Sequence, residues 1–217
     1  MVSFKKLAAG AAGVALALGV SAATASVIDF TRATTGTTGT ILGGTVNWTM
    51  TANGVLNNAQ AFDGKTTPVG SPLSFQTDGY GVGAKDDEIT TSKKAQEVIT
   101  LTFDKATLID AVYFLDLFVA RTGGSKEIGV ATFDGLSQVL LTATDLANTG
   151  SGYVAATFAP ILAKVITFTV LDSNDAYGYA DGALAGVGIA PVPVPAAGLL
   201  LVGGLGGLAA LRRRKKA

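Results

Sequence analysis

The sequence predicts an all-β fold, an antiparallel β-sandwich of jelly-roll-like kind, with an N-terminal signal peptide before it and a C-terminal transmembrane helix after it. Three observations carry the prediction. Apolar and polar residues alternate with a period of two in several stretches, Gly- and Asp-containing turn pairs recur between them, and little amphipathic helical pattern intervenes. Two packed antiparallel sheets answer that pattern, because each buries one face and wets the other. An immunoglobulin-like sandwich is the second architecture, although the chain has no cysteine to supply its usual pair.

Residues 1–25 read as a secretory signal peptide. Lys5 and Lys6 form a basic start, Leu7 to Val20 an apolar stretch, and Ala23-Thr24-Ala25 the small-x-small pattern that signal peptidase accepts, so cleavage leaves Ser26 first. Residues 26–190 form the sandwich domain, long enough for a single core. The run Thr34 to Thr40, made of threonine and glycine alone, reads as a flexible loop. Val46, Trp48 and Met50 then alternate with Thr45, Asn47 and Thr49; the triplet Asn47-Trp48-Thr49 also fits a glycosylation acceptor, but the strand reading is preferred.

Further along, Ile99, Leu101 and Phe103 fall on one face of a half-buried strand over residues 97–103. Residues 111–119 are apolar on both faces apart from Asp116, which predicts a separate, central strand. Ile166, Phe168 and Val170 point inward from a strand over residues 164–171. Gly43-Gly44, Asn53-Gly54, Asp63-Gly64, Asp78-Gly79, Gly123-Gly124, Asp134-Gly135 and Asp181-Gly182 are the turn signals.

The formal neutrality of the whole chain hides an acidic body. All 16 acids but only nine of the 16 cations lie between the two ends, a net charge of −7 for the domain. Such a surface repels nucleic acid and anionic lipid and favours cations. With no His and no Cys the chain also excludes imidazole or thiolate metal sites, disulfides and histidine-based triads. No catalytic signature is present, and the body is expected not to be an enzyme. Asp116 with Glu97 or Glu127 could be imagined as a glycosidase pair, but nothing in the spacing selects it.

The candidate site in the body is the acidic cluster Asp86, Asp87 and Glu88, framed by the glycine-rich run 78–83 and by Glu97. Hard oxygen ligands on glycine-bent loops suit a structural Ca²⁺ ion, and alternation puts Glu97 on the inward face at the mouth of its strand, where a charge needs a partner. The competing reading is a set of solvated loop acids, with Glu97 reaching water or Lys94. Neither EF-hand spacing nor a calcium-binding repeat is present. Asp172-Ser173-Asn174-Asp175 with Asp181 form a second candidate.

Residues 191–217 have three parts. Pro191-Val192-Pro193-Val194-Pro195-Ala196 disfavours helix, Ala196 to Leu211 is an uncharged apolar run, and Arg212, Arg213, Arg214, Lys215 and Lys216 form a stop-transfer tail. The 16 apolar residues as a helix span about 24 Å, short of the roughly 30 Å hydrocarbon core, and five of them are glycine. They suit a transient anchor better than a permanent one, with a retained single-span anchor as the alternative. The sorting motif Val192, Pro193, Val194, Pro195 and Ala196, with the Gly/Leu-rich run and the basic end, resembles the VPLPA-CTERM form of the PEP-CTERM signal; Val194 stands where that family has Leu. The resemblance implies a Gram-negative bacterium, export through the inner membrane, processing by an exosortase, and a final place at the cell surface or in the extracellular matrix. The body, through Asp78-Gly79-Tyr80-Gly81-Val82, Asp87-Glu88-Ile89, residues 97–103 and residues 113–118, is more loosely similar to the β-rich domains that precede such signals, which implies exopolysaccharide as a partner. A carbohydrate-binding module is the alternative; its mark would be a row of exposed aromatics on one sheet face.

Overall fold

The alternating stretches become strands. The computed structural model describes residues 25–171 and 179–191. Ala23, Asp172 to Asp175, the motif from Val192 to Ala196, the apolar run and the tail from Arg212 to Lys216 lie outside the described residues, so only Ala25 and Ser26 of the expected processing sites are placed. Among the described residues there is no helix, and the strands in chain order are β1 (Ser26–Asp29), β2 (Thr38–Ile41), β3 (Val46–Ala52), β4 (Leu56–Asn57), β5 (Gly81–Val82), β6 (Thr91–Ser92), β7 (Ile99–Leu115), β8 (Phe118–Val119), β9 (Ile128–Phe133), β10 (Ser137–Thr142), β11 (Asp145–Leu146), β12 (Val154–Leu171), β13 (Tyr179–Ala180) and β14 (Ala183–Ile189). The all-β, antiparallel expectation holds, apart from a two-residue parallel pair between β8 and β11.

Two long strands organise the rest. β7 and β12 pair antiparallel along most of their length, from Phe114 opposite Val154 to Ile99 opposite Phe168, with register shifts between Thr157 and Ile161 and between Ala163 and Val165. Each half of this ribbon has different neighbours. The first half of β7 pairs with β3, Trp48 opposite Phe103 and Met50 opposite Leu101, and β3 carries β2 at its edge. The second half pairs with β14, which in turn carries β1. The last part of β12 pairs with β9, and β9 with β10 through the tight turn at Asp134-Gly135, both residues left-handed at φ 47° and 72°.

Side chains from both halves meet in one core. Ile99, Leu101, Phe103, Ile166, Phe168 and Val170 from one half, and Val112, Phe114, Leu184 and Val187 from the other, belong to the same buried cluster. Phe30 joins Trp48 and Tyr80 by edge-to-face contacts at 5.7 and 5.9 Å between ring centres. A second, smaller cluster covers the other face of β7 and β14: Ala111, Tyr113, Leu115, Ala183 and Ala185 pack under Leu73, with Phe62, Phe75 and Tyr153 at its margin. That is why residues 111–115 are apolar on both faces.

Two expectations are corrected here. Residues 97–103 and 111–119 are not separate strands, since β7 runs unbroken from Ile99 to Leu115; the intervening Asp104 to Asp110 contains no Gly or Pro, and the strand stops at Asp116, whose φ is 57°. The threonine–glycine run is only partly a loop, because Thr38 to Thr40 are in β2. The Trp48 ring lies over Gly39, where a Cβ would come within 2.7 Å of it, so a large aromatic holds an otherwise weak strand in place.

Phe168 is wholly buried and meets Phe114 edge to face at 6.3 Å. Phe168→Ala should lower unfolding free energy by about 3–5 kcal/mol, whereas Thr157→Ala on the exposed side of the same strand should stay within about 0.5 kcal/mol. Denaturant unfolding of the two variants checks this.

Candidate functional site

Where β7 stops, the chain gathers acids. Five carboxylates, Asp63, Asp78, Asp87, Glu88 and Asp116, line an open cavity of about 280 Å³ together with Gln60, Lys65 and Asn148. They come from the β4–β5 connection, the β5–β6 connection and the turn after β7. Asp63, Asp78 and Asp116 each offer a carboxylate oxygen within 4.8 Å of the other two. Asp78 and Asp116 are buried, and Asp63 is exposed.

Local backbone bonds hold each acid. The Asp63 N–H donates to Asp78 Oδ1 at 3.3 Å, and the Lys65 N–H to the Gly150 carbonyl at 3.1 Å, tying the β4–β5 connection across the cavity. Tyr80 and Leu184 exchange backbone bonds of 3.0 and 2.9 Å, which fixes the chain just after Asp78 to β14. Asp87 is carried by a loop that closes on Gly81 so tightly that any Cβ there would strike the Asp87 carbonyl carbon. Asp116 sits in the left-handed region that aspartate tolerates better than most residues, and the Leu117 N–H donates to the Gly152 carbonyl at 3.0 Å.

Burial and mutual repulsion dominate the electrostatics. Burial pushes Asp116 up to about 9 and Glu88 up to about 8, with the surrounding carboxylates adding to both. Asp78 rises to about 7, again mainly through burial, with the Asp63 N–H opposing and the charges of Asp63 and Asp87 adding. Asp87 rises for the same reason, although Gln60 Nε2 donates to its Oδ1 at 2.8 Å. No Lys or Arg among the described residues forms an ion pair with any of these five; the ion pair present is Arg32 with Asp29 at 3.9 Å. Next to the cavity, Glu127 Oε2 accepts from the Phe118 N–H at 2.6 Å and bonds Asp181, and burial with that acidic neighbour pushes Glu127 up to about 9.

The acids singled out in sequence divide. Asp87 and Glu88 line the cavity, while Asp86 is exposed and its Oδ1 accepts from the Glu88 N–H at 3.2 Å, a local turn. Glu97 has its partner elsewhere: Oε2 accepts from the Thr90 N–H at 2.7 Å, clipping the two ends of the 90–97 loop. Asp181 of the second candidate stretch is bonded to Glu127. The sequence reading missed Asp63, Asp78 and Asp116 as one group; the signal that could have found Asp116 is its position as the lone acid in the otherwise apolar stretch 111–119.

Beside the cavity an aromatic row crosses the outer face of β7. Phe62 and Phe75 stand 5.3 Å apart, Phe75 and Tyr153 6.0 Å, and Tyr153 stacks on Tyr113 at 6.4 Å. Tyr113 is buried, and the other three are half-buried. No family model and no curated protein matches the chain. Among solved structures it is similar to CpGH89CBM32-5 from Clostridium perfringens, in complex with GalNAc-β-1,3-galactose, at 15% identity over 65% of this chain and 95% of that one, with a TM-score of 0.31. That overlap is too loose to transfer a residue or a ligand.

Glu127 makes the apo domain sensitive to alkali. Its folded pKa of about 9 stands above the ordinary 4.5, so between those values the folded chain holds a proton that the unfolded chain releases. The stabilisation is complete below about pH 4.5 and is lost as pH rises toward 9. With chelator present, Glu127→Gln should flatten that decline and raise the melting temperature at pH 8, because the amide keeps the Phe118 contact without the charge. Melts of both proteins from pH 5 to 9 check it.

Proposed function

We propose that this chain is an exported, non-catalytic surface or matrix protein: a jelly-roll-like β-sandwich delivered by a cleaved signal peptide and released or attached through exosortase processing of its C-terminal tail. The observation that carries the reading, beside the three-part tail, is the meeting of the domain's two ends. Ser26 is the Cα partner of Ile189, so the strand that begins at the expected signal cleavage site lies against the strand that leads into Pro191. Both flanking segments therefore leave the sheet at one end. The acidic cavity is at the other end of β14, about 20 Å away at roughly 3.3 Å per residue from Ala183 to Ile189. A body held at the membrane by either end presents its acids outward.

The tail is tested by blotting membrane and external fractions with and without exosortase, together with intact mass of the external form. Wild type should begin at Ser26 and lack the basic end. Replacing Pro193 and Pro195 by Ala should let helix extend back through the motif and accumulate full-length protein in the inner membrane. Replacing Arg212 to Lys216 by Ser should release uncleaved protein, since nothing then holds the tail in the cytoplasm. Full-length wild type in the inner membrane of cells with active exosortase would overturn the sorting reading.

A second reading is a carbohydrate-binding face. The row is not the exposed one that would mark such a module, since Tyr113 is buried and Phe62 and Phe75 pack in the cover over β7, so the half-buried Tyr153 is the ring on which a sugar would stack. Tyr153→Ala should then weaken binding to exopolysaccharide by at least about tenfold, and unchanged binding by affinity electrophoresis would remove the row from consideration.

A further inference from the structure

The acids of the cavity require a neutralising group, and among the described residues no Lys or Arg forms an ion pair with any of the five, although Lys65 lines the same cavity. Asp87 is 95% buried, being only 5% exposed, yet its Oδ2 has no hydrogen-bond partner while Oδ1 is taken by Gln60. A buried carboxylate oxygen without a donor is costly, by about 1–3 kcal/mol even before its charge is counted. Asp87 lines the same cavity as Asp63, Asp78 and Asp116, each of which offers a carboxylate oxygen within 4.8 Å of the other two. The two observations are independent: one is a convergence of three ligands, the other an orphaned acceptor beside them.

The geometry points to a divalent-cation site of calcium's size, with Asp63, Asp78 and Asp116 as direct ligands and Asp87 Oδ2 as a fourth acceptor, reached by the ion or by a water bound to it. The donors are all hard oxygens, and no His or Cys exists in the chain to favour a softer metal. Ca²⁺ takes oxygen ligands at about 2.3–2.6 Å in flexible geometry, whereas Mg²⁺ at about 2.0–2.1 Å demands a near-ideal octahedron and keeps several waters, so carboxylates gathered from separate loops suit Ca²⁺ better. Asn148, also on the cavity wall, offers a neutral amide oxygen. This site differs from the one expected in sequence, because Asp86 and Glu97 are spent on local backbone bonds.

Such an ion does the work of a disulfide. The ligands lie on the β4–β5 connection and on the turn after β7, with Asp87 on the β5–β6 connection, so one cation ties together three loops that share few ladder bonds. In a chain without cysteine, it is the staple the site chemistry permits. The inference does not depend on how the tail is processed.

Full-length protein in mild detergent is melted in EDTA, in millimolar CaCl₂ and in equal MgCl₂, and Ca²⁺ binding is measured by titration calorimetry. One Ca²⁺ per chain and a rise of about 5–10 °C with Ca²⁺ near a hundredfold over its dissociation constant are expected, with a clearly smaller rise in Mg²⁺. Asp63→Asn, at an exposed position, should fold and lose most of the Ca²⁺ response. Asp78→Asn should melt higher than wild type in EDTA, where a repelling charge has gone, and lower in Ca²⁺, where a ligand has gone. Asp86→Asn and Glu97→Gln should keep the wild-type response. Coincident wild-type midpoints in EDTA and Ca²⁺, an equal rise in Mg²⁺, or an undiminished response in Asp63→Asn would each overturn the assignment.

Discussion

The structure depends on a strand that must be covered on both faces. The end of β7, residues 111–115, is apolar all round, and a strand of that kind is stable only when something packs on each side. One side meets the main core. The other is covered by the β4–β5 connection, which presses Leu73 onto Tyr113 and Leu115, with Phe62 and Phe75 beside them. Fully burying each large apolar side chain contributes about 1.5–3 kcal/mol, so this contact is strong enough to dictate where the long connection lies.

The acids come with it. Asp63 follows Phe62 directly, Asp78 follows Phe75 by three residues, and Asp116 follows Leu115, so apolar residues that seek β7 bring carboxylates to its end. Hydrophobic contact sets the placement, and electrostatics bears the consequence. Carboxylates so close together cannot all be ionised without a counter-charge, and the choice lies between protons and a metal. The raised values of Asp78, Glu88 and Asp116 describe the protonated solution; the orphaned Asp87 oxygen marks what that solution leaves unmet.

Much of the core was legible because period-two alternation reports directly on burial. Trp48 and Met50, Ile99, Leu101 and Phe103, and Ile166, Phe168 and Val170 all face inward as the pattern requires. The continuity of β7 was less visible, since Asp104 to Ala106 are exposed and look like an interruption although no turn residue breaks the chain. β2 was hidden for a different reason: its stability comes from a ring on the neighbouring strand and not from its own threonines and glycines. The acidic site was legible only in part. Asp87 and Glu88 are adjacent in sequence, but Asp63, Asp78 and Asp116 are separated by long stretches and converge through the cover over β7, a tertiary event that no local spacing encodes.

The pairing of Ser26 with Ile189 also makes the domain, in effect, a closed ring. Its entry and exit lie a strand's width apart, about 4.7–4.9 Å, so a chain pinned at both ends to one surface is not stretched by folding. On the export reading proposed above, cutting would act on two segments that leave the sheet side by side, and the four-residue ladder from Ser26 to Asp29 against Gly186 to Ile189 is what would hold the body closed whichever were severed first.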